Sequence, residues 1–287
     1  MMSIRVYIYA SQKKESQSIK AKLLKQLAKS NIEVVDEEQS FDYIITIGGD
    51  GTLLSAFQRL QNRVDSIQFI GIHTGHLGFY ADWQSYEIEN LVEGLLDCVD
   101  KPPVTYPLLE ITMEDTIGNN SKFLALNECS IRSNFGTMVS DIYVKEEFFE
   151  TLRGDGLCIA TPTGSTGLNK SLGGAVIHPR LDALQLTEIA SLNNRVYRSL
   201  GSPMIISKDE WLKIYPTIHG KETTFMLIFD NKYISDIEIQ SLVLKISDSR
   251  IRFANIRHTH FWNRVEASFI GLKQQQNNIN QINNLLK

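Results

Sequence analysis

Apolar and polar positions follow two rhythms along this chain, and the change falls near residue 104. Ile4 to Tyr9 is an apolar, partly β-branched run of strand length. Residues 16–30 then place Ile19, Leu23 and Leu27 at helical spacing with lysines between them. A short run, Ile32 to Val35, precedes an acidic turn. The next, Tyr43 to Ile47, ends abruptly in Gly48-Gly49, and a helix follows with Leu53, Leu54, Phe57 and Leu60 on one face. Ile67 to Ile72 reads as another strand, an amphipathic segment covers 86–99, and Lys101-Pro102-Pro103 reads as a linker. This β-α-β alternation predicts a Rossmann-like α/β domain over 1–103, a parallel sheet covered by helices.

Beyond the linker the runs shorten to strand length: Tyr106–Glu114, Lys122–Arg132, Thr137–Val144, Pro203–Ser207, Trp211–Tyr215, Thr224–Ile234 and Leu242–Ile246, separated by Gly, Asn, Asp or Lys. They predict a β-rich, β-sandwich-like domain over 104–250, mainly antiparallel. Asp182–Ala190 fits helix and strand equally well. Residues 251–273 are expected to pack back on the N-terminal domain, and the Gln/Asn-rich stretch 274–287 reads as a disordered tail. No internal repeat is visible.

Composition narrows the class. The 287 residues are 43% hydrophobic and 22% charged, as in a globular protein, and a formal net charge of −4 gives no electrostatic case for a nucleic-acid partner. No stretch approaches the ~18 apolar residues that suggest a membrane span. The N-terminus lacks a signal-peptide pattern. Cys98, Cys129 and Cys158 are odd in number and set in apolar segments, so they read as reduced core residues in a cytoplasmic protein.

The chemistry begins at Gly48-Gly49-Asp50-Gly51-Thr52, between a buried strand and a helix. The carboxyl ends of parallel strands form a ligand crevice, and glycines there let backbone N–H groups approach phosphate beside a helix N-terminus. An acid among phosphate binders is repulsive unless it serves a metal or a proton transfer, which singles out Asp50. The competing explanation is that Asp50 caps its own helix. Two other phosphate motifs fail. No G-x-G-x-x-G occurs, because Leu54 stands at the third glycine, and Gly164–Ser171 misses a Walker A loop by one residue, Asn169.

Asn127-Glu128 interrupts an apolar run, where a carboxylate is expensive to bury without partners. Neighbours in a regular strand face opposite ways, so either one of the pair meets a ligand or a bulge or strand end turns both toward it. Arg153-Gly154-Asp155-Gly156 is a second glycine-flanked acid, and Thr161–Gly167 offers hydroxyls and backbone donors to a polar ligand. The bland alternative for Glu128 is a solvent-facing place on a half-exposed strand, and taken singly the other pieces are more often ordinary turns than sites. His73-Thr74-Gly75-His76 is assigned to a structural or substrate-rimming turn, and His258 and His260 are read as structural. No side chain is assigned as a dedicated metal ligand.

In order, the blocks are GGDGT at 48–52, GIHTGHLGF at 71–79, ALNE at 125–128, RGDGLCIATPTGST at 153–166 and SLGGAVIHP at 171–179. Together they resemble the NAD kinase family, from about residue 41 to Phe261-Trp262. GGDGT alone is shared with diacylglycerol, sphingosine and phosphofructokinase relatives; the later blocks sharpen the match. The resemblance implies transfer of the ATP γ-phosphoryl group (or one from polyphosphate), with Mg²⁺ or another divalent cation, to the adenosine ribose 2′-hydroxyl of NAD. It also implies a site between two domains and a homo-oligomer, dimer or tetramer.

Carried over by position, Asp50 is the general base, while Gly48, Gly49, Gly51 and Thr52 shape the phosphate loop. Asn127 and Glu128 hold ribose hydroxyls or metal-linked groups, and Asp155 meets the nicotinamide end. Thr166 and its neighbours line the adenine side. Arg153, Thr163, Gly167, Leu168, Asn169, Lys170 and Ser171 are included in the dinucleotide site, with Phe79, Ala190 and Asn231 as weaker assignments. One departure stands out: the family reads GSTAY where this chain has Gly164-Ser165-Thr166-Gly167-Leu168, so a tyrosine able to stack on a base is replaced by leucine. The rivals are a diacylglycerol-type lipid kinase, which gives no reason for the later blocks, and a catalytically silent dinucleotide-binding module.

Overall fold

The computed structural model describes residues 4–75, 78–218, 224–257 and 261–271. His76, His258, His260 and the tail 274–287 lie outside the described residues. The chain divides into two compact units. One takes the chain up to Ala56, Ser66–Val104 and the described residues from Arg252 onward; the other takes Phe57–Asp65 and Thr105–Ile251.

The first unit is α/β, as its rhythm predicts. Its parallel strands lie in the order Ile32–Val34, Ile4–Ala10, Tyr43–Ile47, Gln68–His73. Trp83–Gln84 pairs beside the last of these, and Phe253 adds a parallel partner for Phe69. The helix Lys14–Leu27 buries Ser16, Ile19, Leu23 and Leu27 at three- and four-residue spacing, and Ile88–Asp97 buries Ile88, Leu91, Val92 and Leu95. These stripes form one apolar core with Val6, Ile45, Ile47, Ile70 and Ile72. The strand order reverses between Ile4–Ala10 and Tyr43–Ile47, so Gly48 leaves the sheet at the carboxyl side of a topological switch point.

The second unit is antiparallel and β-rich. One sheet contains Glu147–Gly154, Met138–Val144, Trp211–Pro216 and the long strand Ile239–Phe253, with Val104–Asp115 pairing the last and Asn120–Ala125 beyond it. A six-stranded sheet runs Met204–Ser207, Ala183–Ile189, Gly156–Ala160, Glu128–Ser133, Phe225–Phe229, Lys232–Ile237. Both contribute to a single core that includes Leu109, Ile131, Leu157, Leu212, Leu227 and Leu244.

Four runs differ in detail from the sequence reading. Lys122–Arg132 is two strands, Asn120–Ala125 and Glu128–Ser133, broken at Leu126-Asn127 where the chain passes between sheets. Thr224–Ile234 is a hairpin, because Asp230 takes a left-handed conformation (φ 50°) that turns the chain. Leu242–Ile246 is the middle of a 15-residue strand. The ambiguous Asp182–Ala190 resolves as the strand Ala183–Ile189, which pairs on both edges.

Candidate active site

In the first unit, the strand Tyr43–Ile47 is wholly buried and ends at Gly48, whose N–H donates to the carbonyl of Ile72 at 2.9 Å. A Cβ on Gly48 would lie 2.1 Å from Thr52 Oγ1, so the strand-to-helix turn closes only without a side chain there. The helix Asp50–Arg59 starts at once. Asp50 does not cap it. Its Oδ2 accepts the Phe79 N–H at 2.8 Å and its Oδ1 the Tyr80 N–H at 3.2 Å. A Cβ on Gly78 would stand 2.2 Å from Asp50 Oδ1, so glycine at 78 is what admits the carboxylate. Gly49 and Gly51 are exposed at the same turn. His73 is buried with Nδ1 2.9 Å from the Gly75 carbonyl, which supports a structural turn.

In the second unit, the strand break brings several predicted residues together. The Thr161 N–H donates to the Asn127 carbonyl at 2.8 Å and its hydroxyl to the Leu126 carbonyl at 2.6 Å, while the Gly164 N–H donates to that hydroxyl at 3.1 Å. A Cβ on Gly164 would be 2.1 Å from the Asn127 oxygen, and one on Gly167 would be 3.3 Å from Glu128 Oε2. The Asn127-Glu128 corner and the Thr161–Gly167 turn thus form one surface. Asn127 lies at the break and Glu128 opens the strand that follows, paired with Ala160.

Asp230 holds this corner, and the sequence reading passed it over. Its Oδ2 accepts N–H groups of Leu126 and the Gln58 amide, both at 2.9 Å, and its Oδ1 accepts the Asn127 N–H at 2.7 Å. Burial pushes the Asp230 carboxyl up while these donors pull it down. Glu128 has no such support: its Oε2 is buried without a hydrogen-bond partner. Burial first, and the Asp230 charge second, push its pKa up to about 8. Both neighbouring acids are raised by burial, but only Asp230 has donors that oppose the shift. The buried Thr163 hydroxyl is a second orphan beside the same corner. Such orphans ask for a ligand or water.

Asp155 is exposed between two glycines whose hydrogens face backbone. A Cβ on Gly154 would meet the Ile189 oxygen at 2.8 Å, and one on Gly156 the Ile131 oxygen at 2.2 Å. The Asp155 N–H donates to Ile189, next to Ala190, itself left-handed at φ 47°. Arg153 stacks its guanidinium 4.4 Å from the Tyr197 ring centroid. Leu168 is half-buried and opens the short helix Leu168–Ser171, with Lys170 and Ser171 exposed. Asn169, included in the dinucleotide site by resemblance, has a structural role of its own. It is fully buried, accepts the Thr187 hydroxyl at 2.7 Å and donates toward the Ser165 and Ala175 carbonyls, so its amide braces the turn from inside. Thr163–Thr166 is a 3-10 turn, which agrees with rejecting a Walker A loop. Asn231 is exposed at the hairpin beside Asp230, lining a cavity of about 450 Å³ with Gln58, Phe123 and Tyr233.

Among the described residues there is no cluster of three or more His, Cys, Asp or Glu able to hold a metal, and no helix long and apolar enough to cross a membrane. Residues 7–101 match the family model described as ATP-NAD kinase N-terminal domain, and residues 126–257 the one described as ATP-NAD kinase C-terminal domain. The chain is 47% identical over 274 residues to the NAD kinase of Latilactobacillus sakei subsp. sakei, covering 95% of this chain and 100% of that one. It is 48% identical over 270 residues to the NAD kinase of Lactobacillus johnsonii, covering 93% and 98%. In fold it resembles a yeast NADH kinase solved with NADH (TM-score 0.81, 18% identity, 93% of this chain and 87% of that one). It also resembles an NAD kinase from Archaeoglobus fulgidus solved with ATP (TM-score 0.69, 22% identity, 88% and 94%).

Proposed function

Because this chain belongs to the NAD kinase family, we propose that it transfers the γ-phosphoryl group of ATP to the adenosine ribose 2′-hydroxyl of NAD, giving NADP and ADP. The ribose oxygen bonds to the γ-phosphorus, the bridging P–O bond to the β-phosphate breaks, and the hydroxyl proton passes to a base. Asp50 is that base.

The observation that carries the assignment is the setting of Asp50. It follows a glycine turn at the carboxyl end of a parallel strand, and two backbone amides orient its carboxylate. An ionised carboxylate offers about four lone-pair directions, so two remain for the ribose hydroxyl. Gly49 and Gly51 would present backbone donors to the donor phosphates, while Gly48 and Thr52, whose N–H groups are taken by the Ile72 and Gly49 carbonyls, would shape the turn. Phosphoryl transfer depends chiefly on positioning and charge neutralisation, and a positioned base adds about 10²–10⁴-fold. Mg²⁺ would arrive with the triphosphate, since it is commonly held by substrate phosphates with one or two carboxylates and water.

In the second unit, Asn127, Glu128 and Thr163 would take ribose hydroxyls. Asp155 and Ala190 would meet the nicotinamide end, and Thr166 to Leu168 the adenine side. The unpaired Glu128 Oε2 and Thr163 hydroxyl support this reading, since a sugar hydroxyl satisfies both. Exposed Phe148, Phe149, Tyr197 and Tyr215 favour a homo-oligomer. A cytoplasmic setting fits three free, buried cysteines. Asp50→Asn tests the central assignment. NAD affinity by calorimetry should stay within about threefold, while NADP formation falls by about 10²–10⁴-fold; a near-normal rate would remove Asp50 from the base role.

A further inference from the structure

The loop that binds Asp50 is itself held from behind. Its Phe79 N–H goes to Asp50, and the carbonyl of the same residue accepts Arg264 Nη1. Arg264 Nη2 pairs with Asp82 Oδ1 three residues on. Only 4% of Arg264 is exposed, so the pair is shielded from water and salt. The same C-terminal segment grips the Phe79 ring, whose centroid is 6.2 Å from that of Phe261 and 6.0 Å from that of Phe269. On the sheet side there is no slack either: a Cβ on Gly71 would lie 2.7 Å from Ala81 Cα and 2.9 Å from the Tyr80 oxygen.

We propose that Arg264 is a positioning residue for Asp50, fixing the Phe79-Tyr80 peptides whose N–H groups aim the carboxylate. The proposal rests on Asp50 being the base that takes the ribose proton. Arg264 has the chemistry for the task. A planar guanidinium satisfies two acceptors in fixed directions, whereas a lysine ammonium is a point charge that holds them loosely. With Arg264 gone, Phe79 loses the bond on its carbonyl and Asp82 loses the guanidinium that ties it to the same segment, so the loop can shift by up to about an ångström. Misplacement on the scale of 1 Å is enough to reduce turnover by about 100-fold.

The test is a double-mutant cycle in the full chain with Arg264→Met, Arg264→Lys, Asp50→Asn and Arg264→Met/Asp50→Asn. Steady-state rates are normalised to folded protein by circular dichroism. Arg264→Met should lower kcat by about 100-fold with KM for NAD and ATP within about threefold, and Arg264→Lys by about 10-fold. In the Asp50→Asn background the Arg264→Met substitution should change kcat by less than about twofold, because a residue acting through Asp50 has nothing left to position. Equal proportional losses in both backgrounds, or a near-normal kcat for Arg264→Met, would overturn the proposal. Should Arg264→Met not fold, Arg264→Lys alone and with Asp50→Asn decides on the same terms. An active Asp50→Asn would refute the base assignment instead, which keeps the two failures apart.

Discussion

Glu128→Gln gives the sharpest stability test, because the folded protein raises this carboxyl from 4.5 to about 8. Below pH 4.5 the glutamic acid is protonated in folded and unfolded chains alike, and the substitution is neutral with respect to this proton. Between 4.5 and 8 the unfolded chain has released its proton while the folded chain retains it. The folded state therefore binds more protons, and wild-type stability falls as pH rises, by about 1.4 kcal/mol per unit. Above 8 both states are ionised and the loss levels off. Glutamine keeps the shape and cannot ionise, so subtracting its unfolding free energy from that of the wild type isolates Glu128 from every other titrating group. From pH 6 to 8 the difference should move in favour of Glu128→Gln by about 2–3 kcal/mol. Urea unfolding at pH 5, 6, 7 and 8 in a constant ionic strength measures it. A difference that stays flat across this range would mean that Glu128 is ionised in the folded protein, and that Asp230 and burial do not govern the corner as argued.

Two further substitutions probe the same surface. Gly164→Ala drives a methyl to 2.1 Å from the Asn127 oxygen, a contact with backbone that cannot swing aside; overpacking of this kind costs about 1–3 kcal/mol, and both the thermal midpoint and the NAD affinity should fall. Leu168→Tyr restores an aromatic face at the half-buried start of the short helix, and NAD should bind tighter by about 1–3 kcal/mol, read by calorimetry; unchanged affinity would show that position 168 does not touch the base.

Most of the architecture was legible because periodicity is a local signal. The stripe Ile19, Leu23, Leu27 and the β-branched run Tyr43–Ile47 declare their elements without reference to anything distant. The break at Leu126-Asn127 was not legible, for no Gly or Pro marks it; it is imposed by Asp230, more than 100 residues later, which takes the amides of both residues. Asp50 stood out by its glycines, but its partners did not, since a backbone N–H carries no side-chain signature. The signal that could have pointed to Phe79-Tyr80 was Gly78, where a Cβ would meet the Asp50 carboxylate. Asp230 could have been found as the acid in an Asp-Asn dipeptide closing a hairpin. The bracing role of Asn169 was not legible either, because it depends on Thr187 from another strand.

The discontinuity of the first unit bears on how the chain matures during synthesis. Its early strands leave the ribosome long before Phe253, which completes the edge at Phe69. The intervening segment, Thr105–Ile251, forms a unit with its own core together with Phe57–Asp65, and that unit can close while the first still waits. At about 5–20 residues per second, roughly 150 residues impose a delay of roughly 10–30 s. During that interval the nascent sheet shows an unpaired edge at Phe69, beside the stretch Ile72-His73 that Trp83–Gln84 already covers. A ribosome-arrest series ending on either side of Phe253 would see that edge close.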